Sequence, residues 1–198
     1  MKKVWAICLA VILFSGCTSQ VAAPTTEPSE TVELPILGKP GDSAAAVVLG
    51  DVWAQYEPQE RFSVYGGMIS RPVPDAPGDL DMEQPEEWAA HCCFPVGCLQ
   101  LAQQGASITH LLNGNLFTAV AVQVPDEKAR SVLTEDWRYT LQHAPWTSVA
   151  PDRLLLAQLG ERYLVMAMGS RENLRIFRQK LLQAYPTTTI VRDEPITC

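Results

Sequence analysis

The sequence predicts an α+β fold: a ferredoxin-like split β-α-β-β-α-β core with an additional N-terminal helix and hairpin in front of it. Three observations carry this. From Leu116 onward, stretches of strand and helix period follow in the order strand, helix, strand, strand, helix, strand, which is the split pattern. The dipeptides Asn113-Gly114 and Gly160-Glu161 separate apolar runs where tight hairpin turns belong. Asp42 with Ser43, and Ser170, stand just ahead of amphipathic runs in the place of a helix N-cap.

In chain order, the first folded element is a helix over residues 42–56, capped by Asp42 or Ser43. Its apolar residues Ala45, Val48, Leu49, Val52, Trp53 and Tyr56 recur at helical spacing. Residues 62–69 read as extended, and the Pro-rich, acidic stretch 71–85 as a long surface loop. Residues 108–112 and 116–124 make a hairpin, joined through a type I′ turn at Asn113-Gly114. A helix over 126–143 gathers Ala129, Val132, Leu133, Trp137 and Leu141 on one face, and Asp126 and Glu127 at its start suit the helix dipole. Residues 153–159 and 162–168 form a second hairpin, with Gly160 opening a type II′ turn. Ser170 caps a helix over 171–184 that buries Leu174, Phe177, Leu181 and Ala184, and residues 187–192 supply the last strand.

Ahead of this body, Met1-Lys2-Lys3 precedes an apolar run over residues 4–14. A membrane-spanning helix needs roughly 20 apolar residues, so this shorter run with a basic start and a small-residue exit reads as a secretory signal. The exit, Phe14-Ser15-Gly16-Cys17, resembles the lipobox of bacterial lipoproteins. That resemblance implies cleavage before Cys17, lipid on its thiol, and anchoring at the extracytoplasmic face of the cell membrane. Residues 18–40, with Pro24, Pro28, Pro35 and Pro40 among Thr, Ser and Glu, then read as a tether that cannot bury a core. The predicted organisation is signal peptide 1–16, lipidated cysteine and tether 17–40, and one domain 41–198. Removing residues 1–16 takes away Lys2 and Lys3 and no acid, leaving 13 basic against 22 acidic side chains, a formal charge of −9. Such a balance disfavours non-specific binding to nucleic acid or anionic lipid.

The most pointed chemistry is His91-Cys92-Cys93-Phe94-Pro95-Val96-Gly97-Cys98, with Cys198 as the last residue. In an exported body, an even count of thiols at Cys92, Cys93, Cys98 and Cys198 points to two disulfides. The vicinal pair is strained, which leaves Cys98 bridging either Cys92 or Cys93 and Cys198 taking the remaining thiol. The alternative is a metal or thiol-handling site, since His91, Cys92, Cys93 and Cys98 offer the nitrogen and sulfur donors that zinc or copper(I) prefers. Against it, adjacent cysteines rarely ligate one ion, and no redox Cys-x-x-Cys occurs.

Elsewhere, His110 and His143 lie in unrelated segments, and no Gly-x-Ser-x-Gly, His-Glu-x-x-His or phosphate-cradling loop accompanies them, so nothing calls for catalysis or a cofactor. The acids Asp75, Asp79, Asp81, Glu83, Glu86 and Glu87 lack the spacing of a calcium loop and read as a solvated surface. On the last long helix, Arg171, Arg175 and Arg178 recur at i, i+4 and i+7 in an otherwise acidic chain. This stripe is either a surface for anionic lipid or envelope polymer, or simply the solvated face of an amphipathic helix.

The lipobox, the early helix, the strand ending at Val124 with its Asp126-Glu127-Lys128-Ala129 helix start, and the Gly160-Glu161-Arg162-Tyr163-Leu164-Val165 hairpin followed by a helix resemble the lipoproteins grouped as domain of unknown function 4358. The resemblance implies extracytoplasmic anchoring and supplies no activity, cofactor or catalytic residue. The expected function is a non-catalytic binding or structural module of the cell envelope, held to the membrane through Cys17, with an envelope protein or polymer as partner. The alternative is the metal- or thiol-handling protein.

Overall fold

A computed structural model describes residues 37–146 and 149–197. The expected signal, Cys17, most of the expected tether and Cys198 lie outside the described residues. Among the described ones, no helix is long and apolar enough to cross a membrane. The elements are α1 (Ala44–Ala54), β1 (Val64–Met68), β2 (Arg71–Pro74), β3 (Gly78–Leu80), α2 (Pro85–Cys92), a 3-10 helix (Val96–Leu101), β4 (Gln104–His110), β5 (Phe117–Gln123), α3 (Glu127–Gln142), β6 (Arg153–Leu159), β7 (Tyr163–Gly169), α4 (Arg171–Ala184) and β8 (Thr189–Pro195). The strands form one antiparallel sheet in the order β2-β1-β4-β5-β7-β6-β8, with β3 also paired to β4. The α+β class is therefore as expected, with Ser43, Asp126 and Ser170 accepting N-cap hydrogen bonds from Ala46, Ala129 and Asn173.

The strand order corrects the ferredoxin-like arrangement. That arrangement places the closing strand beside β5, whereas β8 pairs with β6 at the opposite edge. The step from β7 to β8 thus crosses the sheet in the same direction as the step from β5 to β6, but starts from a strand running the other way. Because such crossovers are right-handed, the two connecting helices must fall on opposite faces. They do. Leu174, Phe177 and Leu181 of α4 pack with α1 against Ala119, Ala121, Leu155, Ala157, Val165 and Ala167. Leu133, Trp137 and Leu141 of α3 pack with α2 against Val120, Val122, Leu154, Leu156, Leu164 and Met166. With both faces covered, β5, β6 and β7 read as nearly unbroken apolar runs, as strands buried on two sides do.

Four local expectations are also corrected. The stretch 71–85 is not one loop: it contains β2 and β3, and Pro85 opens α2. Its prolines hide the strand because Pro is confined to sheet edges, and β2 is an edge. The Asn113-Gly114 turn is not type I′, since the positive-φ residues among those described are Gly67, Asp75, Cys93 and Gly160. The β4–β5 connection instead runs from Leu111 to Leu116, built by Asn113 accepting from the Asn115 and Leu116 N–H groups and by His110 Nδ1 accepting from Leu112 N–H at 3.2 Å. Gly160 does take φ +55°, but its loop has three residues, because Leu159 pairs with Tyr163. The end of the expected tether is docked rather than free. Gly38 N–H donates to Pro72 O at 3.0 Å, along the outer side of β2.

Near β3 the sheet branches: β1 pairs with Ile108 to His110 of β4, and β3 takes over the same side from Gly105 to Ser107. Gly67 turns away there with φ +75°, and a Cβ on Gly66 would lie 2.3 Å from Gly78 N. The buried Ser107 hydroxyl fastens the branch, accepting from Gly67 N–H and donating to Gly67 O, both at 3.1 Å. At the far edge, β8 is pinned to both layers: Arg192 to Glu135 and Glu194 to Arg138 of α3 (both 2.6 Å), and Asp193 to Arg178 of α4 (3.5 Å) and Arg153 (2.8 Å).

Candidate functional site

The cysteine segment lies on the α2/α3 face. Pro85 sits in the first turn of α2, and the helix ends at Cys93, whose φ of +48° is left-handed. The turn carries Trp88 into the core, where it lies fully buried against Gly105; a Cβ there would come within 2.3 Å of the indole. Trp88 Nε1 donates to Asp81 O at 2.8 Å. Phe94 then stands edge-on between Trp88 and Trp137, at centroid distances of 5.0 and 4.9 Å. Trp137 in turn donates to Cys92 O at 3.2 Å.

The four sequence candidates in this segment diverge. The two ring nitrogens of His91 meet hydroxyls from facing positions of β1 and β4, Tyr65 at 3.4 Å and Thr109 at 3.1 Å. Burial pushes the imidazole down to about 4, against the opposing pull of the Glu87 carboxylate. Cys92 is wholly buried, and Cys98 donates its thiol to Asp136 Oδ2 at 2.9 Å. Burial raises Cys92 well above the ordinary thiol range and Cys93 to about 11; burial and the Asp136 carboxylate push Cys98 to about 12. Thiols this far from ionisation are poor nucleophiles and poor ligands. Among the described residues no three His, Cys, Asp or Glu side chains come together to hold a metal ion. Cys92, Cys93 and Cys98 are free, so the local bridge expected from the sequence is not formed, and a bridge to Cys198 lies outside the described residues.

The arginine stripe, by contrast, is assembled further than its spacing indicates. Arg171, Arg175 and Arg178 of α4 line a cleft of about 310 Å³ together with Arg153 of β6, Leu155, Leu174 and Asp193 of β8. One carboxylate, Asp193, faces two guanidinium groups, those of Arg153 and Arg178. Arg175 pairs with Glu172 at 2.7 Å, and the neighbouring Asp152 accepts from the Arg171 backbone N–H at 2.9 Å. With four arginines set against Asp193, Glu172 and Asp152, the cleft keeps an excess of positive charge. Guanidinium forks in this number suit the oxygens of phosphate or carboxylate. Arg153 is the member that helical spacing alone could not reveal, because it arrives from a strand beneath the helix.

A larger cleft of about 920 Å³, missed from the sequence, opens where the C-terminal end of α3 meets β8; Arg138, Tyr139, Gln142, His143, Trp146 and Glu194 line it. Tyr139 stacks on His143 at 4.0 Å, and Glu194 is held by Arg138 and Gln142. The signal available was Tyr139 and His143 at i and i+4 on the polar face of α3. Glu194 is the one carboxylate among the described lining residues, so the cleft offers a stacking shelf and no acid pair. Comparison with protein-family models, curated proteins and solved structures gives no match.

Proposed function

We propose that this chain is a lipid-anchored extracytoplasmic protein of the cell membrane whose folded body is a non-catalytic binding module, and that the arginine cleft of α4 holds an anionic component of the cell envelope. The anchor reading is supported by the basic start, the short apolar run and Phe14-Ser15-Gly16-Cys17. The resemblance to the domain of unknown function 4358 lipoproteins, carried by the order of elements, agrees with it. The binding reading is carried by one observation: four arginines around a single lining carboxylate in a chain whose mature form carries a formal −9. A metal- or thiol-handling role has less behind it, because the thiols are buried and un-ionised and His91 is engaged by hydroxyls.

The test uses the chain from residue 17 onward carrying Cys17→Ser, with inorganic polyphosphate as probe. Binding at low salt that weakens steeply as salt rises is expected, and Arg171→Gln with Arg175→Gln and Arg178→Gln should reduce it at least about tenfold. Equal binding by the triple variant sinks the cleft assignment. Separately, Cys17→Ala in the full precursor should release the protein from the membrane fraction.

A further inference from the structure

Beside the arginine cleft, the chain displays large aliphatic side chains to solvent at the same end of the sheet. Leu112 is 86% exposed, Val149 80%, Leu111 54% and Leu116 41%. Their two loops are joined, since Asn115 Nδ2 donates to Val149 O at 2.9 Å. They are also fixed to the arginine helix, because Leu116 O accepts from Ser170 N–H at 3.0 Å and from Asn173 Nδ2 at 2.9 Å. His110 Nδ1 and Asn113 hold the β4–β5 loop in shape from within. The apolar tip is therefore built in place, and presenting it costs little ordering entropy.

We infer that this end of the domain docks on an anionic lipid surface, with Leu112 and Val149 entering the head-group region and Arg171 with the arginine cleft meeting lipid phosphates. The inference rests on the anion-binding reading of the cleft and names its partner. Two features select a bilayer. Leu112 and Val149 stand largely open to solvent on loops at this end, the form suited to entering a soft interface. The charge beside them is arginine in an otherwise acidic chain, and the nearby carboxylates are engaged, Asp152 with the Arg171 backbone and Glu172 with Arg175. Basic side chains next to an apolar tip match the negative surface potential of a membrane leaflet. A lipid on Cys17 would supply a high effective concentration of that surface, so that weak docking suffices.

The decisive experiment partitions the chain from residue 17 carrying Cys17→Ser between buffer and vesicles, either of phosphatidylglycerol mixed with phosphatidylcholine or of phosphatidylcholine alone. Binding to the mixed vesicles and not to the neutral ones is expected. Each aliphatic side chain leaving water is worth about tenfold, so Leu112→Ser with Val149→Ser should weaken partition by tenfold or more while leaving polyphosphate binding unchanged. Replacing Arg171, Arg175 and Arg178 by Gln should weaken both at least about tenfold. If the Leu112/Val149 variant binds mixed vesicles as tightly as the parent, or the parent ignores vesicles yet binds polyphosphate, membrane docking is overturned and the anion cleft stands. If polyphosphate binding also fails, the cleft reading falls with it. A concentration-dependent dimer in buffer that the Leu112/Val149 variant abolishes would give the tip to a second copy of the chain instead.

Discussion

The His91–Cys98 segment and the end of the sheet around Arg171 make an instructive pair. The first concentrates the residue types that most suggest chemistry, yet the fold commits them to structure, His91 to two hydroxyls, Cys98 to a carboxylate, Cys92 to the core and Cys93 to its edge. The second is drawn from ordinary residues on two loops, a strand and a helix, and becomes a coherent charged and apolar surface only when folded. Reactive residue types near in sequence are weak guides to a site when burial takes away their ionisation. Bland residues brought together by topology are stronger ones.

This contrast can be broken experimentally, and the largest effect is expected in the cysteine segment. If its role is structural, Trp88→Ala should cost about 3 to 5 kcal/mol, because it empties a fully buried site between Gly105 and Phe94. For a domain of this size that is a fall of roughly 10 °C in Tm, readable by calorimetry. A loss below about 1 kcal/mol would show that the segment does not hold the α2/α3 face together.

A smaller effect follows from His91. Its folded pKa is depressed from 6.5 to about 4, so the neutral form is the one the fold favours. Stability is then fully present above pH 6.5 and falls as pH drops from 6.5 toward 4, by up to about 3 kcal/mol. His91→Gln, which keeps a donor and an acceptor for Tyr65 and Thr109, should flatten the dependence of the denaturation midpoint on pH in that window. An unchanged slope in the variant would assign the acid sensitivity to other groups. The smallest effect belongs to the other region. Arg171→Gln should change stability by no more than about 0.5 kcal/mol, since the side chain is exposed, while still weakening polyphosphate binding. A destabilisation of several kcal/mol would make Arg171 a structural residue and remove the contrast.

Much of the second half was legible in the sequence. Strand 153–159 and helix 171–184 appear with the boundaries that periodicity and the Ser170 cap indicate. What escaped was decided by tertiary context. β2 was concealed by Pro72 and Pro74, whose absent N–H groups are tolerated at an edge. The Asn113-Gly114 turn was overridden by the His110 and Asn113 side chains, which organise a longer loop. The order of strands and helices along the chain carries no information on which edge the closing strand takes, so two helices on opposite faces could not be told from two on one. At the site, spacing exposed Arg171, Arg175 and Arg178, but Arg153 and the aliphatic tip depend on contacts between distant segments.

The two outer strands carry a consequence for life at high density. On one side β2 offers Pro72 and Pro74 and is overlaid by Gly38; on the other, β8 ends in Arg192-Asp193-Glu194-Pro195, each charge tied to a helix or strand beside it. Neither rim presents a clean row of backbone groups to a neighbouring molecule. Proteins confined to a plane collide far more often than the same number free in solution. Held on a membrane by the proposed anchor, a body with such blunted rims would pack side by side without zipping into fibres, leaving its loop ends and clefts as the surfaces through which it meets other molecules.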